Sequence, residues 1–372
     1  MSWFASQPYN QLPPLPPTVD LENMRTLKLA VEARAALASL NQAALRLPNS
    51  RVLLNALPLL EAQASSEIEN IVTTTDELFR YAEDEGAAKD PATREALRYR
   101  TALYEGFESV RSRPLNVTTA VDVCSRIKMR DMGIRTLAGT YIGNPLTQAA
   151  IYTPPVGEGI IRDKLSNWEQ FVHARDGIDP LIKMAAAHYQ FEAIHPFEDG
   201  NGRTGRVLNV LMLVDAGLLS QPILYLSRYI IQNKNEYYRL LLRVTAERDW
   251  DSWVLFILEG IRQTALGTMR KIDAVTSLQS EYHGLVREVI GSANADLLAL
   301  LFEQPYCRIA NVVDRCGVSR PTASGWLNSL SEAGVLVKVH SGRERLFVNA
   351  RLIDVLTKDQ EAAREPEDAT LF

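Results

Sequence analysis

Apolar residues along this 372-residue chain recur mostly at helical spacing, and strand-like runs are confined to two short regions. Residues 20–46, rich in Leu and Ala, read as one long helix broken at Pro48-Asn49. A second helical stretch covers about 51–64, with Pro58 as a local interruption. The string Ser65-Ser66-Glu67-Ile68-Glu69-Asn70-Ile71 reads as a fresh helix start, its acids lying where they favour the helix dipole. After a polar linker at 84–92, helices are expected at about 91–112 and 117–129. Between 132 and 161 five glycines and three prolines surround two β-prone runs, Thr140-Tyr141-Ile142 and Ala150-Ile151-Tyr152-Thr153. That pattern predicts a β-hairpin flanked by loops.

Helices resume at 162–176 and 180–194. The second has clear ends: Asp179 as N-cap, Pro180 at the first helical position, and Pro196 beyond the last turn. Val207 to Ala216 is apolar almost all round, with Gly217 as its C-cap. Residues 195–206 therefore join two buried helices and open the second. Further helices are expected over Leu226–Val244 and from Asp249 to about 285, the latter anchored in the core by Trp250 and Trp253. Residues 293–355 read as a separate small domain. Helices at 295–302, 309–316 and 319–333 precede strands at 335–339 and 345–348, which flank Ser341-Gly342-Arg343-Glu344. That order resembles a winged helix, whose third helix enters the DNA major groove. The proline-rich residues 1–18 predict an extended surface arm, and the acidic tail from 359 predicts disorder.

Composition narrows the class. Hydrophobic residues make up 46%, enough for ordinary globular cores, and the net charge of −5 argues against a surface that binds nucleic acid everywhere. Between 320 and 351, five Lys/Arg face two acids, a modest local excess. Cys124, Cys307 and Cys316 match no zinc spacing and read as reduced thiols of a cytoplasmic protein. The five histidines are scattered, and no apolar run is long enough to span a membrane.

The chemistry is concentrated in His195-Pro196-Phe197-Glu198-Asp199-Gly200-Asn201-Gly202-Arg203-Thr204-Gly205-Arg206. A histidine can take a proton near neutral pH. A carboxylate suits Mg²⁺. Glycines let backbone N–H groups approach an anion, and arginines match phosphate oxygens. These are the parts needed to handle a nucleoside triphosphate at a helix N-terminus.

This string resembles the signature of the Fic (filamentation induced by cAMP) family, His-Pro-Phe-x-Asp/Glu-Gly-Asn-Gly-Arg-x-x-Arg, at every fixed position. The resemblance implies a mainly α fold: a Fic-type helical bundle with a β-hairpin flap, here followed by the winged-helix-like domain. It implies a protein adenylyltransferase that moves AMP from ATP, with Mg²⁺, to Tyr, Thr or Ser hydroxyls of target proteins, itself included. His195 is then the catalytic base and Asp199 the metal ligand. Gly200, Asn201, Gly202, Arg203, Thr204, Gly205 and Arg206 bind the triphosphate, the two arginines clamping its β and γ phosphates. For the adenine pocket the family uses a tyrosine of a later Tyr-Tyr pair. Tyr238 matches best, then Tyr237, with Asn233 one turn earlier; the competing reading packs both tyrosines in the core.

One class of the family carries an upstream Ser/Thr-x-x-x-Glu-Gly/Asn motif, matched here by Ser65, Glu69 and Asn70. The resemblance makes Glu69 inhibitory, reaching Arg206 inside the ATP site; the competing reading leaves it as an acid favouring its helix start. Thr153 or Thr147 is expected either to touch the nucleotide or simply to build the flap, on which a target segment docks by β-augmentation. The related Doc-type kinases carry lysine in place of Gly202 and lack the second arginine, so Gly202 and Arg206 favour AMP transfer. His188 reads as a packed helix residue. The expected division is 1–110 with the inhibitory helix, 111–288 catalytic, 289–358 winged-helix-like and 359–372 tail. A homodimer stays open, as does whether the C-terminal domain binds DNA or docks protein, and so does a rival role: a nucleotide-sensing transcriptional regulator.

Overall fold

In a computed structural model, residues 3–46, 51–82, 84–143, 149–291, 294–341 and 344–358 are described. They are mainly helical and fall into two compact units, one drawn from Met1–Asn41 and Leu57–Ala265, the other from Gln42–Ala56 and Leu266–Phe372. The first helix, α1, is Met24–Arg46, and α2 is Arg51–Ile68, which runs through Pro58 without a break. Here the expected start at Ser65 is corrected: Ser65 to Ile68 form the last turn of α2. Ile68 continues its buried stripe, and Asn70 then turns left-handed at φ 61°. The Ile71 N–H returns to the Ser66 carbonyl at 3.0 Å, closing the helix end. A short α3, Thr75–Arg80, follows, capped by Thr74.

Helices α4 (Pro91–Ser112) and α5 (Val117–Lys128) lie where the sequence predicts them, opened by side-chain caps from Asp90 and Asn116. Strands β1 (Ile142–Gly143) and β2 (Ala150–Tyr152) pair antiparallel as the expected hairpin. Its connecting residues, Thr147 among them, lie outside the described set. The arm of residues 3–18 is neither helix nor strand. It is fixed by Asn167, which bonds both the N–H and carbonyl of Leu15, by Gln190 on the Pro13 carbonyl, and by a Tyr9 N–H to Thr153 carbonyl bond.

The core of this unit is built on α7 (Pro180–Ile194), which follows α6 (Glu158–His173), and on α8 (Asn201–Asp215). Both α7 and α8 are buried along most of their length. Gly106 of α4 lets α8 come close: a Cβ there would sit 2.7 Å from Leu211 Cδ1. The predicted helix over 226–244 is split into α9 (Leu226–Gln232) and α10 (Lys234–Glu247). Asn233 interrupts it by turning its amide back onto the Tyr229 carbonyl at 2.9 Å, competing with the helix ladder. Next comes α11 (Trp250–Ile290), with Trp250 and Trp253 buried as expected.

The second unit includes α12 (Ala295–Glu303), β3 (Tyr306–Cys307), α13 (Ile309–Cys316), α14 (Arg320–Glu332), β4 (Val337–Ser341), β5 (Glu344–Val348) and α15 (Ala350–Thr357). Its strands form one sheet in the order β3-β5-β4. Three helices followed by an antiparallel strand pair are present, with β3 between the first helix and the second. β3 and α15 were not expected from the sequence.

Candidate active site

The loop between α7 and α8 is shaped by backbone conformation. His195 closes α7 in the left-handed region, φ 51°, and Gly200 opens α8 at φ 85°. Between them Phe197 is fully buried, and Asn201 bonds both its N–H and its carbonyl at 2.8 Å. The Asn201 side-chain amide is thus engaged in closing the loop. What remains for an anion is the backbone. The first i→i−4 bond of α8 is Thr204 N–H to the Gly200 carbonyl, so the N–H groups of residues 201–203 have no intrahelical acceptor. They point out of the positive end of the helix.

Cations and carboxylates converge on this helix end. The Arg206 side chain is 2% exposed and donates to Glu69 Oε1 at 2.9 Å, Ser65 Oγ at 2.8 Å and the Ser65 carbonyl at 2.9 Å. Burial alone would raise the Glu69 pKa, but Arg206 overrides it and holds the carboxyl below its ordinary value. Gly202 makes room for the pair, since a Cβ there would strike Glu69 Oε1 and Arg206 Nη1. One turn earlier, Arg203 bonds Glu95 and lies 3.7 Å from Asp199. Lys128 completes this cluster, 2.5 Å from Asp199 and 3.2 Å from Glu95. Against its partial burial, these cations hold Asp199 below the usual carboxylate range.

Glu61 explains how Glu69 is seated. It is buried in α2 and accepts from the Ser227 N–H at 3.0 Å, the Ser227 hydroxyl and the Tyr99 hydroxyl at 3.1 Å. These bonds tie α2 to α9 and α4, which fixes the helix end that carries Glu69.

His195 is held neutral. Burial first, then the charge of Arg135, lowers its pKa to about 4, while the Glu192 main chain, Glu69 and Asp199 pull upward. Its Nδ1 is buried and reaches no partner at hydrogen-bond geometry, although the Glu192 carbonyl is near enough to favour the protonated ring. Glu192, three residues earlier, is pushed up to about 7 by burial, and Glu69 adds to that against Arg206. For a metal, no group of three or more His, Cys, Asp or Glu side chains converges among the described residues. Asp199 offers one half-exposed carboxylate, which suits Mg²⁺ when phosphates and water supply its other ligands.

Three family models cover this chain. Residues 27–108 match the Fic/DOC family N-terminal model, 129–213 the Fic/DOC family model, and 286–352 the C-terminal domain of SoFic-like protein adenylyltransferases. Residues 27–108 and 129–213 thus carry domains of the Fic/DOC family. It is 34% identical over 112 residues to the protein adenylyltransferase Fic of Culex quinquefasciatus, covering 30% of this chain and 21% of that one. A probable protein adenylyltransferase of Aquifex aeolicus is 27% identical over 235 residues, 60% of this chain and 63% of its own. The chain thus spans about a fifth of the insect relatives it matches. The fold is also that of a Fic family protein from Desulfovibrio desulfuricans, with a TM-score of 0.52 at 18% identity over 92% of this chain and 98% of that one.

Tyr237 is buried, and its hydroxyl meets His188 Nε2 at 2.9 Å. Its face is closed to a base, so Tyr238, 41% exposed and near enough to Glu69 and Arg206 to feel their charge, is the open member of the pair. Asn233 lies at the α9–α10 junction with its amide turned inward. Thr204 is fully buried. Gly205 leaves space for the Glu192 carboxyl. The Thr153 hydroxyl donates to the Ala5 carbonyl of the arm at 2.6 Å. Sequence reasoning missed Glu61, Glu95, Lys128, Arg135 and Glu192. Only Glu192, one turn before His195, was within local reach of the signature.

Proposed function

We propose that this chain is a protein adenylyltransferase that transfers AMP from ATP to a Tyr, Thr or Ser hydroxyl of a protein, itself included, and that Glu69 restrains it. The observation that carries the reading is the Arg206–Glu69 pair at the open N-terminus of α8, beside a neutral histidine. That helix end suits a polyphosphate, and Glu69 stands on the arginine that a γ-phosphate would need.

In this reading the N–H groups of residues 201–203 and the guanidinium of Arg203 receive the phosphates. Asp199 would hold Mg²⁺, which when bound offsets phosphate charge. Lys128 must then share Asp199 with the metal or turn toward phosphate. The flap presents the hydroxyl by backbone pairing. His195 takes the hydroxyl proton as the oxygen attacks the α-phosphorus; the bond to the bridging oxygen breaks and pyrophosphate leaves. A ring titrating near 4 is uncharged at neutral pH and ready to accept. The negative charge of bound ATP raises its basicity toward the working range.

Incubation with ATP and Mg²⁺ tests this directly. A covalent gain of about 329 Da per modified hydroxyl, with pyrophosphate release, is the expected product of AMP transfer. Gain of about 80 Da instead would mean γ-phosphoryl transfer and would overturn the reading. The helix-helix-helix-wing order of the second unit keeps one rival alive, a nucleotide-sensing regulator that binds DNA through that unit. A sensor binds ATP without turnover, so pyrophosphate release separates the two.

A further inference from the structure

Four consecutive carbonyls, from the last turn of α7 into the catalytic loop, are each held by the segment that carries the flap. The Ala193 carbonyl accepts from the Tyr152 hydroxyl of β2 at 2.8 Å. The Ile194 carbonyl accepts from Arg135 Nη2 at 3.3 Å, and the His195 carbonyl from Arg135 Nε at 2.7 Å. The Pro196 carbonyl accepts from the Arg135 N–H at 2.9 Å. Arg135 Nη2 also bonds the carbonyl of Pro155, just beyond β2.

Arg135 is only 3% exposed, and among the described residues no carboxylate pairs with it. A buried cation without a counterion is costly and needs compensation. The carbonyl end of α7 supplies it, because a helix C-terminus carries unpaired carbonyls and partial negative charge. One guanidinium thus links the backbone of His195 to the base of the flap. Tyr152 adds a second rivet one residue further back in α7.

The geometry points to Arg135 as a positioning residue, assisted by Tyr152, that sets the height and register of the flap over His195. This rests on the AMP-transfer reading above, since the flap is where a target strand would present its hydroxyl. A strand docked on β-type edges takes its place from the flap backbone. The distance between its hydroxyl and the imidazole is therefore only as fixed as the flap-to-loop bond. The charge of Arg135 has a second, separable effect: it helps keep the imidazole uncharged against the pull of Glu69, Asp199 and the Glu192 main chain.

Three variants in a Glu69→Gly background test this: Arg135→Lys, Arg135→Met and Tyr152→Phe. Lysine keeps the charge but cannot reach three carbonyls at once. Self-labelling with α-labelled ATP should fall about 100-fold in maximal rate for Arg135→Lys, with the ATP concentration for half-maximal rate changed less than about twofold. Tyr152→Phe, which loses one hydroxyl, should fall less. The imidazole titration of His195, followed by NMR, should stay low in Arg135→Lys and move up in Arg135→Met. Unfolding of the methionine variant would leave the lysine and phenylalanine variants to decide. Full activity in Arg135→Lys, or a loss confined to ATP affinity, overturns the proposal. If Glu69→Gly itself transfers no AMP, the functional reading fails instead. The inference is then judged by hydrogen exchange of the flap amides, which should quicken in Arg135→Lys and Tyr152→Phe, and unchanged exchange overturns it.

Discussion

Replacing Glu69 separates inhibition from ordinary helix-end electrostatics, because the two predict opposite signs. Glu69 stands at the C-terminal end of α2, where the helix dipole disfavours a carboxylate by about 0.3–1 kcal/mol. Were that its only interaction, Glu69→Gln would make the protein slightly more stable. The structure instead has Glu69 bonded at 2.9 Å to an arginine that is 2% exposed. Breaking a fully buried pair costs about 3–5 kcal/mol and an exposed one about 0–1. Glu69 keeps 35% of its side-chain surface, and Arg206 keeps its bonds to Ser65, so the loss should be about 1–2 kcal/mol. For a unit of this size that lowers Tm by roughly 2–8 °C. The rate should move the other way. With Arg206 freed for the γ-phosphate, initial AMP transfer by Glu69→Gly should rise on the order of 100-fold, the scale on which misalignment suppresses reactions. Arg206→Ala in that background should lower it again. Initial rates with α-labelled ATP and melting curves of wild type, both Glu69 variants and the double mutant measure each quantity. An unchanged rate in Glu69→Gly, or a raised Tm in Glu69→Gln, would refute the reasoning.

Other outcomes follow from the same geometry. His195→Ala in the Glu69→Gly background should lose about 10²–10⁴ of the labelling rate; near-parental labelling would remove His195 as the base. The buried Glu192 carboxyl, pushed up to about 7, holds its proton more tightly folded than unfolded. Its contribution is therefore fully present below about pH 4.3 and is lost as pH rises through 7, so Glu192→Gln should match its parent's Tm in acid and exceed it increasingly toward pH 8. A Tm difference that does not vary with pH would contradict that burial. Gly106→Ala should cost about 1–3 kcal/mol, because the new methyl meets Leu211 at 2.7 Å across the α4–α8 contact; an unchanged melting curve would show that α8 can move aside.

The parts of this molecule that could be read from sequence are those whose cause lies within a few residues. Asp179 and Pro180 start α7, and the left-handed glycine at 200 opens α8, so the helix-loop-helix was legible. The same holds for α4 and α5, where Asp90 and Asn116 cap their own helices. The helix end at Glu69 was misread for a reason equally local. Acids near a serine pair suggest a start, but Asn70, a residue tolerant of the left-handed region, was the stop signal and outweighed them. Asn233 broke a predicted helix through a side-chain bond that composition does not reveal.

What could not be read is everything that positions the site from a distance. Arg203 meets Glu95 across 108 residues, Ser227 meets Glu61 across 166, and Arg135 meets the His195 carbonyl across 60. None of these partners carries a local mark, because each is an ordinary charged or polar residue on a helix or loop until the fold turns it inward. The consequence for mechanism is a division of labour. A contiguous stretch supplies the groups that could touch ATP, so it can be recognised in a string of letters. On the proposed mechanism their reactivity would depend on Glu69, Glu192 and Arg135, which act on the charge around Arg206 and His195. Two chains with the same twelve-residue loop could therefore differ widely in rate, and the difference would lie in whether a carboxylate reaches the second arginine and a guanidinium holds the histidine's carbonyl.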